Sequence, residues 1–154
     1  MMLDQHVEDF ELAATGGQRF RLSAMHGAPL VLYFYPKDDT PGCTDEGRQF
    51  AALAEQFAAR RCSIFGVSRD TVASHERFKA KFSFPFELLS DPDEIACALF
   101  GVIKMKNMYG KQVRGIERST FLIDAEGHLR REWRGVKVPG HGQAVLDALA
   151  ELQS

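Results

Sequence analysis

Cys43 is the side chain in this sequence best placed by its neighbours to act as a nucleophile. It ends the run Pro36-Lys37-Asp38-Asp39-Thr40-Pro41-Gly42-Cys43. The apolar stretch Leu30-Val31-Leu32-Tyr33-Phe34-Tyr35 before it reads as a buried strand, and the residues from Thr44 to Phe57 read as an amphipathic helix. Cys43 therefore falls at a strand-to-helix turn, at or just inside the helix N-terminus. Unpaired N–H groups and the positive end of the helix dipole favour an anion there. That favours the thiolate, which is the reactive form of cysteine.

The remaining composition narrows the setting. A chain of 154 residues is expected to form one domain, 1–154, with a substantial core. Nineteen basic and 21 acidic residues give a net charge of -2, which argues for neither nucleic acid nor an anionic membrane as partner. The apolar runs are strand-sized, and the first residues lack the basic and apolar regions of a secretory signal, so a cytoplasmic protein is expected. Three cysteines, at 43, 62 and 97, include no C-x-x-C pair. They suggest neither a disulfide scaffold nor a zinc site. The five histidines are far apart in sequence and give no metal-ligand spacing; no metal or other cofactor is expected.

The elements that must position Cys43 follow from periodicity. Two alternating segments around Thr15-Gly16-Gly17-Gln18 suggest an N-terminal β-hairpin. A strand at Leu30–Tyr35, a helix to about Arg60, a strand over Ser63–Val67 and a helix over Thr71–Phe82 come next. A short strand at Phe86–Leu89 leads into the helix-start signal Ser90-Asp91-Pro92 and a helix ending near Gly101. Residues 102–115 are basic and glycine-punctuated without clean periodicity, and read as a surface loop. A hairpin around Ala125-Glu126-Gly127-His128 and an amphipathic helix over Gly142–Gln153 close the chain. This order predicts an α/β three-layer sandwich with a mixed central sheet, of thioredoxin-like architecture. Sites in such folds are built at the C-terminal edge of the parallel strands, where Cys43 lies.

Pro36, Thr40 and Cys43 form P-x-x-x-T-x-x-C, continued by Thr44-Asp45-Glu46. With Gly115-Ile116-Glu117-Arg118-Ser119-Thr120-Phe121-Leu122-Ile123-Asp124, this resembles the peroxiredoxins. The subgroup it is most similar to is peroxiredoxin Q, also called bacterioferritin comigratory protein. The resemblance extends from the N-terminal hairpin to His141. It implies a thiol peroxidase that reduces hydrogen peroxide and small organic hydroperoxides, with Cys43 as nucleophile.

The chemistry agrees with that role. A thiolate attacks one peroxide oxygen in line while the other departs as an oxyanion that needs hydrogen-bond donors. Thr40 can set a hydroxyl beside the sulfur and the peroxide. The N–H groups of Gly42 and Cys43 can cradle oxygens, and Pro36 and Pro41 stiffen the turn. The resemblance implies that Pro36 shields the sulfur, that Arg118 brings a permanent cation to it, and that Glu46 orients either Arg118 or a relay of hydrogen bonds. Singly, each has a plainer reading: Thr40 a cap hydroxyl, Glu46 a first-turn acid, Arg118 a strand-end charge. Their joint order carries the assignment.

Attack leaves a sulfenic acid that a second thiol must resolve. Many relatives carry that thiol five residues on, where this chain has Arg48, and others carry it in the next helix, which has no cysteine here. Cys62 lies beyond a helix of about 16 residues, on the order of 20 Å from Cys43, too far for a disulfide. Cys97 is the better internal candidate, since its helix starts on the same sheet edge. The leading expectation is resolution by an external thiol, such as glutathione, glutaredoxin or thioredoxin, in a monomer. Two rivals remain: a cysteine acyl transferase with His75 or His141 as base, and a redox sensor or holdase without turnover.

Overall fold

The structure, a computed structural model, describes residues 1–154. The strands are β1 (Glu11–Ala14), β2 (Arg19–Arg21), β3 (Leu30–Phe34), β4 (Ser63–Ser68), β5 (Leu88–Ser90), β6 (Ile103–Met108), β7 (Lys111–Ile116), β8 (Ser119–Ile123) and β9 (Leu129–Arg134). The helices are α1 (Pro41–Ala59), α2 (Val72–Phe82), α3 (Ile95–Phe100) and α4 (His141–Leu152). Seven strands form one sheet in the order β2-β1-β5-β4-β3-β8-β9. β3, β4 and β5 are parallel, while β8, β9 and the N-terminal hairpin run antiparallel to their neighbours. This is the mixed-sheet, thioredoxin-like sandwich expected from the order of elements.

Alternation along the strands sorts the core into two layers. Leu30, Leu32 and Phe34 of β3 and Phe121 and Ile123 of β8 face α3 and the N-terminal residues Val7, Phe10 and Leu22. Val31, Tyr33, Tyr35 and Leu122 face α1, α2 and α4 through Phe50, Phe57, Phe78, Val145 and Leu149. Because β3 is covered on both faces, it reads as an unbroken apolar run. No helix is long and apolar enough to cross a membrane.

One expectation is corrected. Residues 102–115 are not a loop: β6 and β7 pair antiparallel from Ile103↔Ile116 to Met108↔Lys111. Tyr109 and Gly110 link them, with φ of 52° and 78°, the two positive values of a type I′ turn. Most of these residues are exposed on both faces, so no polar–apolar alternation marks the strands. Met105, Met108, Tyr109 and Val113 are exposed here, interspersed with Lys104, Lys106, Lys111 and Arg114. Glu94, ion-paired to both Arg69 and Arg114, ties the hairpin to the start of α3.

Candidate active site

The loop Tyr35–Thr40 joins β3 to α1 at the edge where the parallel strands end. Thr40 is the N-cap of α1, in extended conformation (φ -103°, ψ 155°), and Pro41 holds the first helical position, where its missing N–H costs nothing. Cys43 is thus the third residue of the first turn. Thr44 N–H already bonds the Thr40 carbonyl at 2.8 Å. Gly42 and Cys43 therefore supply the first-turn N–H groups that have no intrahelical acceptor. The thiol is buried, with 1% of Cys43 exposed.

Arg118, just before β8, reaches this turn. Its Nη2 lies 3.5 Å from Cys43 Sγ, and its Nη1 donates to Glu46 Oε1 at 2.7 Å. The fork thus spans the sulfur and the carboxylate. The approach depends on Gly42: a Cβ there would lie 3.0 Å from Arg118 Nη2. Thr40 Oγ1 donates to the Lys37 carbonyl at 2.9 Å, so its lone pairs remain free to accept from a peroxide O–H. Pro36 opens the loop and is half-buried.

Glu46 is fully buried, and burial pushes its carboxyl up to about 7 against the opposing pull of Arg118. Its second oxygen has no hydrogen-bond partner. His141 Nε2 stands 3.9 Å from that oxygen and 2.8 Å from Thr120 Oγ1. Burial, and then the charge of Arg118, lower His141 to about 4, so an uncharged ring faces Glu46 and does not neutralise it. A stability test follows. The folded-state value of Glu46 lies above the usual 4.5, so the stability its protonated form contributes is present below that value. It is lost as pH rises through about 7. Wild type should therefore lose stability against Glu46→Gln between pH 5 and 8, by up to about 3 kcal/mol. Paired thermal melts measure it; a constant difference would mean that the carboxylate stays ionised throughout.

A second buried network, which sequence reasoning missed, fixes the loop. Asp38 accepts hydrogen bonds from Tyr35 Oη at 2.7 Å, Ser74 Oγ at 2.8 Å and His75 Nδ1 at 2.7 Å. Its backbone N–H donates to Asp70 Oδ2 at 3.0 Å. His75 Nε2 faces the Leu89 carbonyl at 2.8 Å, so both ring nitrogens stand against acceptors. Burial opposes ionisation of Asp38, but the hydrogen bond and charge of His75 prevail and hold its carboxyl below the usual range. The loop is thereby fastened to α2 and β5. The only sequence signal was an acid in the cysteine loop; its partner lies 37 residues on.

The other expected residues sort by layer. Arg48 is exposed and stacks its guanidinium 5.0 Å from the Phe82 ring centre. Cys62 is buried, and burial pushes its thiol up to about 12. Cys97 is fully buried in the core layer that holds Phe34, Phe100 and Phe121, on the opposite face of the sheet from Cys43. Burial first, and then Asp91, push its thiol well above the ordinary range. Although α3 starts near the expected edge, it packs on the other face, and the sheet separates the two thiols. Neither His75 nor His141 is hydrogen-bonded to Cys43: their partners are Asp38 and the Leu89 carbonyl, and Thr120. The geometry therefore offers no support for the acyl-transfer rival.

Comparison with known proteins concerns the chain as a whole. The model of the AhpC/TSA family matches residues 3–132. Peroxiredoxin Bcp of Xanthomonas campestris is 57% identical over 141 residues, covering 92% of this chain and 88% of the relative. Peroxiredoxin Bcp of Bacillus subtilis is 45% identical over 150 residues, covering 97% and 96%. Among solved structures, the Xanthomonas campestris bacterioferritin comigratory protein, trapped in intermediate/ligand complexes and studied for alkyl peroxide reduction, superposes with a TM-score of 0.90. It is 54% identical, with 94% of this chain and 92% of that chain covered. Xylella fastidiosa PrxQ superposes with a TM-score of 0.96 at 44% identity, covering 100% and 98%. With its fold and nearly its whole length shared with these proteins, the chain belongs to the AhpC/TSA family as a peroxiredoxin of the Bcp/PrxQ kind, a thiol-dependent peroxidase.

Proposed function

We propose that Cys43 is the peroxidatic nucleophile of a one-cysteine cycle, resolved by a thiol from another molecule. The observation that carries this reading is the buried Cys43 sulfur on the first turn of α1 with Arg118 Nη2 at 3.5 Å. The Cys43 thiolate attacks one oxygen of a hydroperoxide, hydrogen peroxide or a small organic one. An S–O bond forms, the O–O bond breaks, and the departing oxygen takes a proton to become water or alcohol. Arg118 and the Gly42 and Cys43 N–H groups stabilise the charge on that oxygen, while Thr40 accepts a hydrogen bond from the peroxide O–H and orients the O–O bond. Glu46 positions Arg118, and Pro36 shields the sulfur. The sulfenic acid then condenses with an external thiol, releasing water, and a second thiol exchanges with the mixed disulfide to regenerate Cys43.

Thioredoxin, glutaredoxin and glutathione are the reductant classes that fit. Internal resolution by Cys97 is not favoured, because a fully buried thiol on the far face of the sheet would have to leave its core. The protein is proposed to act as a single-domain monomer in the cytoplasm; three free cysteines fit a reducing compartment. The test is intact-mass analysis after one equivalent of peroxide with glutathione or thioredoxin present. Cys97→Ser should keep full turnover, and a mixed disulfide should map to Cys43. A Cys43–Cys97 disulfide, with turnover lost in Cys97→Ser, would overturn external resolution while leaving the peroxidase assignment standing.

A further inference from the structure

His6, His26 and His128, far apart in sequence, meet at the end of the sheet opposite Cys43. The register sets that placement: β8 puts Ser119 beside Phe34 at the cysteine end and Ile123 beside Leu30 at the other. His26 precedes β3, and His128 lies in the turn after β8. An isolated β-bridge pairs His6 with His128. Val7 N–H donates to the Gly127 carbonyl at 2.9 Å, Leu129 N–H to the Gln5 carbonyl at 3.0 Å and Gly27 N–H to the Ala125 carbonyl at 2.8 Å. Backbone hydrogen bonds therefore hold the His6 and His26 segments to the turn that carries His128.

The side chains converge as well. The His6 ring centre is 5.9 Å from that of His26 and 5.4 Å from that of His128. Imidazoles sharing one tetrahedral ion through nitrogens at about 2.0–2.1 Å have ring centres roughly 5 Å apart. Gly127 forms the floor of the cluster, with φ +88°. A Cβ on it would lie 2.6 Å from His26 Nε2 and 3.2 Å from His6 Nε2. Two ring nitrogens thus point into a space that any other residue would fill. His128 Nδ1 lies 3.6 Å from Asp124 Oδ1, near that carboxylate but not hydrogen-bonded to it. The rings are exposed or half-exposed, so an ion and its waters can reach them. The ligand nitrogens of the three rings do not all lie within 4.8 Å of one another as they stand, so with the backbone pinned the rings must rotate to close onto an ion.

We propose that His6, His26 and His128 bind one divalent transition-metal ion of the Zn²⁺, Ni²⁺ or Cu²⁺ class, with water completing its coordination. Three imidazoles without a thiolate select borderline ions over softer ones, and over the oxygen-seeking Ca²⁺ and Mg²⁺. The one group whose ligand atoms already lie within 4.8 Å of one another, Asp38, Asp70 and His75, is committed to the hydrogen bonds that fasten the cysteine loop. Because imidazole binds metal in its neutral form, affinity should fall as the solution is acidified.

The experiment adds Ni²⁺ to the reduced full-length protein near neutral pH, read by calorimetry and by imidazole NMR. About one equivalent should bind, with paramagnetic broadening strongest at His6, His26 and His128 and weakest at His75 and His141. His26→Gln should weaken binding by more than about tenfold and leave peroxide turnover unchanged. Absence of saturable binding, broadening centred on other residues, or undiminished affinity in a His6→Gln/His26→Gln double variant would overturn the site. The broadening pattern is read on the unmutated protein, so it decides the matter even if a variant folds poorly.

Discussion

Cys43→Ser should lower peroxide consumption at saturating thiol to the uncatalysed background, a loss of at least about 10⁴-fold. A serine hydroxyl nearly matches the thiol in size, so the buried first turn of α1 should keep its packing and the melting temperature should barely move. Chemistry alone should change. The hydroxyl stays protonated at neutral pH, and the helix N-terminus and Arg118 are left with no anion to stabilise. The measurement is turnover with hydrogen peroxide and with an organic hydroperoxide, alongside circular dichroism. Retained turnover in a folded variant would remove Cys43 from the mechanism, whatever its surroundings.

Arg118→Ala should slow the oxidation of Cys43 by about 10²–10³-fold, the usual cost of removing one donor aimed at developing charge. The guanidinium does two things from one position: Nη2 faces the sulfur at 3.5 Å and Nη1 holds Glu46 at 2.7 Å. Alanine therefore also leaves a buried carboxyl without its cation, and melting should show a loss of stability. Arg118→Lys separates the two effects. Lysine restores the charge without the fork, so the rate should recover only in part. Stopped-flow measurement of the first step, apart from reduction, distinguishes this from slow recycling. An Arg118→Ala oxidation rate equal to wild type would relegate the guanidinium to a structural partner of Glu46.

What the sequence disclosed depended on distance along the chain. The strand Leu30–Phe34 and the body of the helix Pro41–Ala59 were visible because each carries its own signal, an apolar run in one and an amphipathic pattern from Thr44 in the other. Thr40, Cys43 and Glu46 sit at the N-cap and within the first two turns of α1, so their proximity followed from local structure. Arg118 came from family resemblance; nothing in its own segment says that it crosses to α1. The pairs Asp38–His75, Thr120–His141 and His6–His128 were illegible, because each depends on how separate elements stack. Cys97 shows the same limit: its helix start was placed near the expected edge, but the face on which that helix packs is a property of the assembled sheet. β6 and β7 were hidden for another reason, having little buried surface to impose a pattern.

The fastening of the cysteine loop by Asp38 and His75 has a consequence for how such a chain can drift. Loss of either partner strands a buried donor or acceptor, at about 1–3 kcal/mol, and loosens the turn that carries Cys43. Exchanging both at once for a well-packed apolar pair avoids that penalty. Positions 38 and 75 thus form one heritable unit: lineages should keep the pair or replace it together, and intermediates with only one partner should be short-lived.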